Sequence, residues 1–202
     1  TATLSQARNL NSLTEGNVTA NLADTRISAI LDGSSGLTES GGTNAYTITI
    51  GTDDAAASAA DLNSINSLTT AAVNINNVTS LTSSSLSELS TLASNISGFS
   101  NTTNITTIAV SDTTIAADSL AARIDSFDSI NGGSKTTNMT LASGATINVS
   151  SSEITEMLAD ETAGRLTISD QKITVDSGSI SVSTAKSLAE TTTGVVTATI
   201  AD

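Results

Sequence analysis

The sequence predicts a mixed α/β protein: an elongated right-handed β/α solenoid with mainly parallel strands, short helices and repeats of roughly 20–35 residues. Three observations support this prediction. Apolar residues alternate with period 2 in some segments and recur every three or four residues in others, which is typical of strands and of amphipathic helices respectively. The two ends of the chain carry the same sequence pattern, and helix-like segments are followed by strand-like segments. We expect residues 1–202 to form a single repeat array, either a segment of a longer protein or a stacking subunit.

The composition favours a folded chain with a core of small side chains. Ser and Thr fill about a third of the positions, which is also common in disordered segments. Only 13% of the residues are charged and Pro is absent, so neither self-repulsion nor proline-rich linkers would keep the chain expanded. Ala, Ser and Thr in the interior would let helices approach a sheet closely.

The clearest internal repeat joins the two ends of the chain. Residues 5–24 read SQARNLNSLTEGNVTANLAD and residues 183–202 read STAKSLAETTTGVVTATIAD. Aligned without a gap, the two segments place Leu10 with Leu188, Gly16 with Gly194, and Val18 with Val196. Further copies cover residues 153–170 and 60–78, and weaker copies lie around Ile30, Leu89 and Ile124. The spacing of these copies is in the range of solenoid repeats.

Each repeat begins with a predicted helix. Leu62, Ile65 and Leu68 form one apolar stripe, and Leu86, Leu89 and Leu92 form another. A Ser followed by an acid three residues later predicts the helix start at Ser58, Ser85 and Ser150. Gly16, Gly164 and Gly194 are predicted to end helices, because glycine tolerates the left-handed conformation of a helix stop.

A predicted strand follows each helix, and others precede some helices. β-Branched residues dominate these segments, as expected for strands. Strand and short helix alternate, which implies right-handed crossovers and a mainly parallel sheet. The predicted strands are Val18–Leu22, Tyr46–Ile50, Val73–Val78, Ile105–Val110, Met139–Leu141, Leu166–Ser169, Ile173–Val175 and Val195–Ile200. The alternative is a compact α/β domain with coincidental internal similarity.

Missing residue types exclude several functions. The chain has no His and no Cys, which rules out a Ser–His triad, a thiol nucleophile and imidazole or thiolate metal sites. A net charge of −13 argues against nucleic-acid binding, which needs clustered Lys and Arg. No apolar run approaches the roughly 20 residues of a membrane span. We therefore predict a protein that is not an enzyme, does not bind nucleic acid and has no membrane span.

Three segments resemble a known class of repeat protein. TTTGVVTATIAD at residues 191–202, SISVSTAKSLAE at 179–190 and AYTITIGTD at 45–53 are similar to repeats in very large Ser/Thr/Ala-rich cyanobacterial cell-surface and secreted proteins. The resemblance implies an extracellular, structural or adhesive role. It supplies no catalytic residues.

Calcium is the first candidate ligand, because acidic extracellular repeats often use it to rigidify. The weak candidate ligands follow or end predicted strands: Asp24, Asp53, Asp54, Asp112, Asp170 and Asp202. Calcium requires six to eight oxygen ligands, and no EF-hand loop is present. Solvated turn carboxylates are the alternative interpretation, so we expect either no cofactor or calcium alone.

Other patterns have ordinary explanations beside their functional ones. Thr-X-Thr pairs, as at Thr47–Thr49, loosely resemble ice-binding solenoids, but β-propensity also explains them. Two carboxylate pairs, Glu153 with Glu156 and Asp125 with Asp128, could serve acid–base chemistry or simply form a solvated helix face. Asn-X-Ser/Thr sequons could accept sugars, although a chain this rich in Ser and Thr produces several by chance: Asn17, Asn77, Asn95, Asn101, Asn104, Asn138 and Asn148.

The predicted function is structural. We expect a scaffold, surface layer or filament at the cell surface, with flanking repeats or further copies of the chain as partners. Both ends fall at equivalent phases of the repeat, which predicts open apolar edges near Val18 and Val196. The alternative is a calcium-stiffened adhesin segment that binds a receptor or glycan.

Overall fold

A computed structural model describes residues 1–23, 26–37, 43–131 and 137–201. Contacts divide the chain into two compact units. Unit 1 comprises Thr1–Thr82 and Glu88–Ile105, and unit 2 comprises Ser83–Ser87 and Thr106–Asp202.

Seven α-helices lie in the described residues, and short 3-10 turns occur at Thr52–Asp54, Ile96–Gly98 and Thr102–Asn104. The helices are α1 (Leu4–Leu13), α2 (Ile27–Ile30), α3 (Ala59–Ser67), α4 (Leu86–Ser94), α5 (Ala117–Ile130), α6 (Ile154–Thr162) and α7 (Val182–Thr191). The predicted stripes face the core, since Leu62, Ile65, Leu89 and Leu92 are fully buried.

The strands of the described residues are short, from two to six residues. They are β1 (Thr19–Asn21), β2 (Ala45–Thr47), β3 (Ala56–Ala57), β4 (Val73–Asn74), β5 (Ser80–Ser84), β6 (Phe99–Ser100), β7 (Thr107–Val110), β8 (Thr114–Ala116), β9 (Asn138–Leu141), β10 (Thr146–Ser150), β11 (Leu166–Thr167), β12 (Lys172–Ser177) and β13 (Val196–Thr197).

In unit 1, parallel neighbours follow one another in chain order. Ala2 bridges Leu22 just after β1, β1 pairs with β2, Thr49 bridges Asn74 of β4, and β4 pairs with β6. One helix lies between each strand of this row and the next, from α1 to α4. A second parallel pair joins β3 to β5, with Ala56 opposite Ser80. Each step of the row is therefore a strand–helix–strand crossover.

Unit 2 has the same organisation in two rows. One row runs β8, β10, β12 and β13, with α5, α6 and α7 between successive strands. The other runs β7, β9 and β11. Thr146 lies opposite Thr114 on one side and Lys172 on the other, so neighbouring strands are 32 and 26 residues apart. The predicted α/β class and parallel pairing are confirmed in both units.

The sequence repeat at the two ends is also a structural repeat. We define the first repeat as residues 2–22 and the last repeat as residues 180–200. Both consist of an isolated parallel bridge around a ten-residue helix, Ala2 with Leu22 and Ile180 with Ile200. Both helices begin at a hydroxyl N-cap, Thr3 or Ser181, whose oxygen accepts from the backbone N–H three residues later.

Some predicted helix ends were wrong. Ser58 caps α3 as predicted, but α6 begins at Ile154, after Glu153, so Ser150 is not its N-cap. Gly164 has φ +71° and does follow α6 in the left-handed region. Gly16 and Gly194 do not have positive φ, because α1 and α7 end at threonines with extended backbone. The requirement at Gly194 is space: a Cβ there would clash with the backbone carbonyl oxygen of Gln171.

The sequence prediction missed β10, which has parallel partners on both sides. Its inward residues Ile147 and Val149 are fully buried and alternate with Asn148, which had been considered only as a sequon. Short strands β3, β5, β6 and β8 were also missed. No helix in the described ranges is long and apolar enough to cross a membrane.

Candidate functional site

Two of the predicted calcium ligands accept hydrogen bonds from helix starts one repeat away. Asp54 Oδ2 accepts a hydrogen bond from the backbone N–H of Ile27, the first residue of α2, at 2.7 Å. Asp112 Oδ2 accepts from the N–H of Leu86, the first residue of α4, also at 2.7 Å. The donors and acceptors are 27 and 26 residues apart, so both aspartates act as inter-repeat caps.

The other acidic candidates are scattered. Asp170 accepts from the hydroxyl of Ser143, 27 residues earlier, and that bond lowers the pKa of Asp170. Asp53 is exposed in the turn Thr52–Asp54. Asp24 and Asp202 lie outside the described residues. Within the described part of the chain, no three acidic side chains group in a way that could hold a metal ion, so calcium binding stays a prediction.

Amide side chains connect neighbouring repeats. Buried Asn44 accepts from the N–H of Val18 at 2.5 Å and donates to Asn11 Oδ1 at 2.8 Å. Asn77 donates to the carbonyl of Ile50, and Asn138 donates to the carbonyl of Gly164. Most of these bonds span 26–28 residues, which is one strand-to-strand step. We call this set, with the bond from Asn104 to the Asn76 carbonyl, the amide ladder.

The amide ladder explains several sequons. Asn77, Asn104 and Asn138 all use their side-chain nitrogen, the atom that N-glycosylation would modify, as a donor to the backbone one repeat away. Asn101 also donates to Asn74 Oδ1 at 3.0 Å. The sequence showed these residues only as sequons, because their hydrogen-bond partners are more than 25 residues distant.

Buried threonine hydroxyls add to the same connections. The Thr69 hydroxyl donates to the carbonyl of Tyr46 and accepts from its N–H, both at 2.9 Å. The Thr192 hydroxyl donates to the carbonyl of Gln171 at 2.6 Å. Each threonine therefore bonds to backbone groups of the preceding repeat, as buried backbone polar groups require.

Unit 2 contains a cluster of charged side chains around Arg165. Its Nη1 lies 3.0 Å from Asp128 Oδ2 and 3.5 Å from Asp125 Oδ1, and its Nη2 pairs with Asp160 Oδ1. The side chains of Asp128 and Asp160 are 8% and 4% exposed, whereas Asp125 is 69% exposed. Three carboxylates thus share the guanidinium of Arg165, the residue before β11. Two of them belong to α5 and one belongs to α6, so the arginine connects these two helices.

Burial shapes the ionisation of this Arg165 cluster. Desolvation raises the pKa of Asp160, and Arg165 opposes that rise. Burial also works against the charge of Arg165, but its hydrogen bond to Asp128 and the three carboxylates raise the arginine pKa above its usual value. Asp128 Oδ1 and Arg165 Nε are buried without a hydrogen-bond partner among the described residues. The cluster is therefore incompletely satisfied.

The Arg165 cluster offers little room for a substrate. The cleft beside it is lined by Asp118, Glu153, Glu156 and Asp160 together with apolar residues of α5, α6 and β11. About 10 Å³ of it is open to water, which is room for about one water molecule. Glu153 also accepts from both the N–H and the hydroxyl of Ser150, each at 2.7 Å. The Arg165 cluster therefore fixes charged side chains between α5 and α6.

The sequence prediction that Asp125 and Asp128 share a solvated face was wrong for Asp128. Leu120, Ile124, Phe127 and Asp128 lie on the buried face of α5, and Asp160 follows Ile154 and Met157 on the buried face of α6. The sequence pattern that indicates this burial is an acidic residue within an apolar stripe of the helix. Arg165 and Asp160 were not singled out from the sequence at all.

The structure does not unite the Thr-X-Thr pairs into one uniform surface. In the row of unit 1, Asn21 lies opposite Thr47 and Asn74 lies opposite Ser100. In unit 2, Thr197 lies opposite Thr174.

Comparisons with protein-family models, curated proteins and solved structures found no match to this chain.

Proposed function

We propose that the protein is a structural repeat protein of the cell surface, and that each of its units is a stretch of right-handed β/α solenoid. One observation carries the proposal: parallel strands and bridges pair in chain order, 20–32 residues apart in the main rows, with one helix between each and the next. A doubly wound nucleotide-binding sheet reverses its strand order, and ligands bind where it reverses. Rows without a reversal favour a solenoid instead.

The hydrogen bonding supports a scaffold rather than a catalyst. Asn44, Asn77 and Asn138 join one repeat to the next, and Asp54 and Asp112 cap helices of the preceding repeat. The most concentrated charges, around Arg165, are occupied with one another. We therefore propose a role in surface coating, scaffolding or filament formation, and no enzymatic activity.

Deleting one repeat tests the solenoid. Ala56 lies opposite Ser80, so removing residues 56–79 joins the chain in phase. Because each solenoid repeat contacts mainly its neighbours, the shortened protein should keep its circular dichroism spectrum and cooperative unfolding. Removing residues 56–67 is the control, since it deletes the whole of α3 and joins the chain out of phase. Loss of folding in both variants would argue for a closed domain.

Labelling of intact cells tests the location. An antibody against the folded chain should stain unpermeabilised cells of the organism that encodes it, with a cytoplasmic protein as the control. Staining that appears only after lysis would contradict a surface role.

A further inference from the structure

The Asn-X-Ser/Thr sequons differ in whether their polar groups are still accessible in the folded chain. N-glycosylation joins a sugar to the side-chain nitrogen of Asn, and the Ser or Thr hydroxyl two residues later is the second group of the motif. A sugar is bulky and hydrophilic, so both groups have to lie at the surface. The structure divides the sequons by this criterion.

Four sequons use the Asn nitrogen to connect repeats. They are Asn77, Asn101, Asn104 and Asn138, and each donates to a group 26–28 residues away. Two of their hydroxyls are engaged as well, since Thr79 donates to the carbonyl of Ala55 at 3.3 Å and Thr140 donates to that of Ile108 at 3.4 Å. A sugar on any of these four nitrogens would have to fit against the neighbouring repeat.

The sequon at Asn148 is enclosed by a sheet. Asn148 is half-buried in β10, with Ala116 of β8 opposite on one side and Thr174 of β12 on the other. The hydroxyl of Ser150, two residues later, donates to Glu153 Oε2 at 2.7 Å. The hydroxyl of this sequon is therefore already bound.

Asn17 has both groups of its sequon at the surface. It is exposed in the segment between α1 and β1, and its side chain makes no hydrogen bond to a described residue. Thr19, the first residue of β1, is exposed too. Val18 lies between them and is 7% exposed, with its N–H bonded to Asn44, so the prediction that the chain is open near Val18 was wrong. Burial of Val18 leaves its two neighbours facing solvent.

Asn95 has the same accessibility at the end of a helix. It directly follows α4, it is exposed, and its side chain bonds to nothing in the part of the chain that the structure describes. Ser97, the hydroxyl residue of this sequon, is exposed in the turn Ile96–Gly98. The backbone N–H of Asn95 donates to the carbonyl of Thr91 at 3.0 Å. The backbone is therefore fixed while the side chain stays in solvent.

We propose that Asn17 and Asn95 are N-glycosylation sites and that the other five sequons stay unmodified. The donor is an oligosaccharide joined to a lipid through pyrophosphate. Asn Nδ2 attacks the anomeric carbon of the first sugar, the bond from that carbon to the pyrophosphate oxygen breaks, and the lipid pyrophosphate leaves with the bonding electron pair. Nδ2 gives one of its two protons to a base of the transferase and keeps the other. This modification goes beyond the proposed structural role.

Transfer to the purified, folded chain tests the assignment. The oligosaccharyltransferase is one that modifies synthetic peptides of every sequon, so its sequence preference does not decide the result. Intact-mass spectrometry should show two sugars on the unmodified chain, one on Asn17→Gln or Asn95→Gln, and none on the double variant. Both residues are exposed, so circular dichroism should be unchanged. Asn104→Gln is the matched control, because it removes an exposed sequon whose nitrogen is engaged, and it should still accept two sugars.

The native protein gives a second readout. Glycopeptide mass spectrometry of the chain isolated from the organism that encodes it should find sugars on Asn17 and Asn95. The proposal is overturned if the folded chain accepts no sugar, if sugars persist on the double variant, or if the native peptides of both residues carry none. The in-phase deletion and the cell-surface labelling do not depend on these results, so failure of the glycosylation sites is distinguishable from failure of the proposed function.

Discussion

Unit 2 has a charged connection between its helices in addition to the neutral amide and hydroxyl bonds that both units contain. In unit 1, Asn44 and Thr69 are buried and neutral, and their hydrogen bonds go largely to backbone groups of neighbouring repeats. In unit 2, Arg165 joins two buried carboxylates, Asp128 and Asp160, across helices. The neutral arrangement has no proton to gain or lose, whereas the charged one must keep its ion pairs intact. Similar strand–helix–strand units can therefore differ in how sensitive their stability is to charge and pH.

Removing the arginine should produce the largest effect. Arg165→Met retains much of the apolar stem but leaves Asp128 and Asp160 buried without a cation, so we expect a loss of about 3–5 kcal/mol in the free energy of unfolding. Urea denaturation measures the loss. Hydrogen exchange read by mass spectrometry should place the added exchange in α5 and α6.

A second variant separates lost charge pairing from lost packing. Adding Asp128→Asn and Asp160→Asn to Arg165→Met removes the uncompensated carboxylates, so the triple variant should recover part of the stability. If Arg165→Met costs less than about 1 kcal/mol, the Arg165 cluster is not the strong connection described for unit 2.

The neutral connection of unit 1 should be weaker. Asn44→Ala leaves the buried N–H of Val18 without its acceptor, which should cost about 1–3 kcal/mol, with the added exchange in unit 1. Asn104→Ala is the matched control, because Asn104 is an exposed member of the amide ladder and water can replace its bonds. Equal losses for the two variants would show that burial does not determine the strength of these connections.

These differences also show what could be predicted from the sequence. Apolar periodicity predicted α3 and α4, and the end-to-end alignment predicted two matching repeats, because both follow from local spacing. The partners of Asn77 and Asp54 could not be predicted, because each depends on which residue lies opposite 27 residues away. The separation in sequence between residues that lie opposite each other on neighbouring strands varies from 23 to 32 residues in the row of unit 2. A small error in the predicted register would therefore misplace every partner.

The charged site could have been predicted in part. Asp128 and Asp160 fall within apolar stripes, a pattern that requires a buried partner. The identity of that partner follows from the packing of α5 against α6 and from Gly164, whose left-handed turn places Arg165 after the helix. Spacing alone does not contain this information.

The response to pH should differ in sign between the carboxylates. Burial raises the folded-state pKa of Asp160, so its protonated form favours folding and its contribution is lost as pH rises from the ordinary carboxyl pKa of 3.8 through the raised folded value. Hydrogen bonds from Ser34 and Ser143 lower the pKa values of Asp32 and Asp170, so their contributions are lost as pH falls below that value.

Asp160→Asn isolates the first of these contributions. Relative to the unmodified chain, this variant should gain in the free energy of unfolding as pH rises from about 4 to 7, because it has no carboxylate to ionise. Denaturant unfolding at several pH values measures the difference, and Asn44→Ala serves as a control whose difference should stay constant. A difference for Asp160→Asn that falls with pH would mean that pairing with Arg165 outweighs burial.

Calcium should have the smallest effect on either unit. Asp54 and Asp112 each direct one carboxylate oxygen to a helix N–H, so alanine at either position should cost about 1 kcal/mol through the lost cap. If that is their role, the cost should be the same in calcium and in chelator, and Asp54→Asn, which keeps an acceptor oxygen, should cost less than Asp54→Ala.

A ligand that binds only the folded state raises the melting temperature, so thermal melts with and without calcium measure any binding directly. A rise in the melting temperature with calcium that Asp54→Ala or Asp112→Ala abolishes would favour the calcium-stiffened adhesin, and unchanged melts would leave these aspartates as inter-repeat caps.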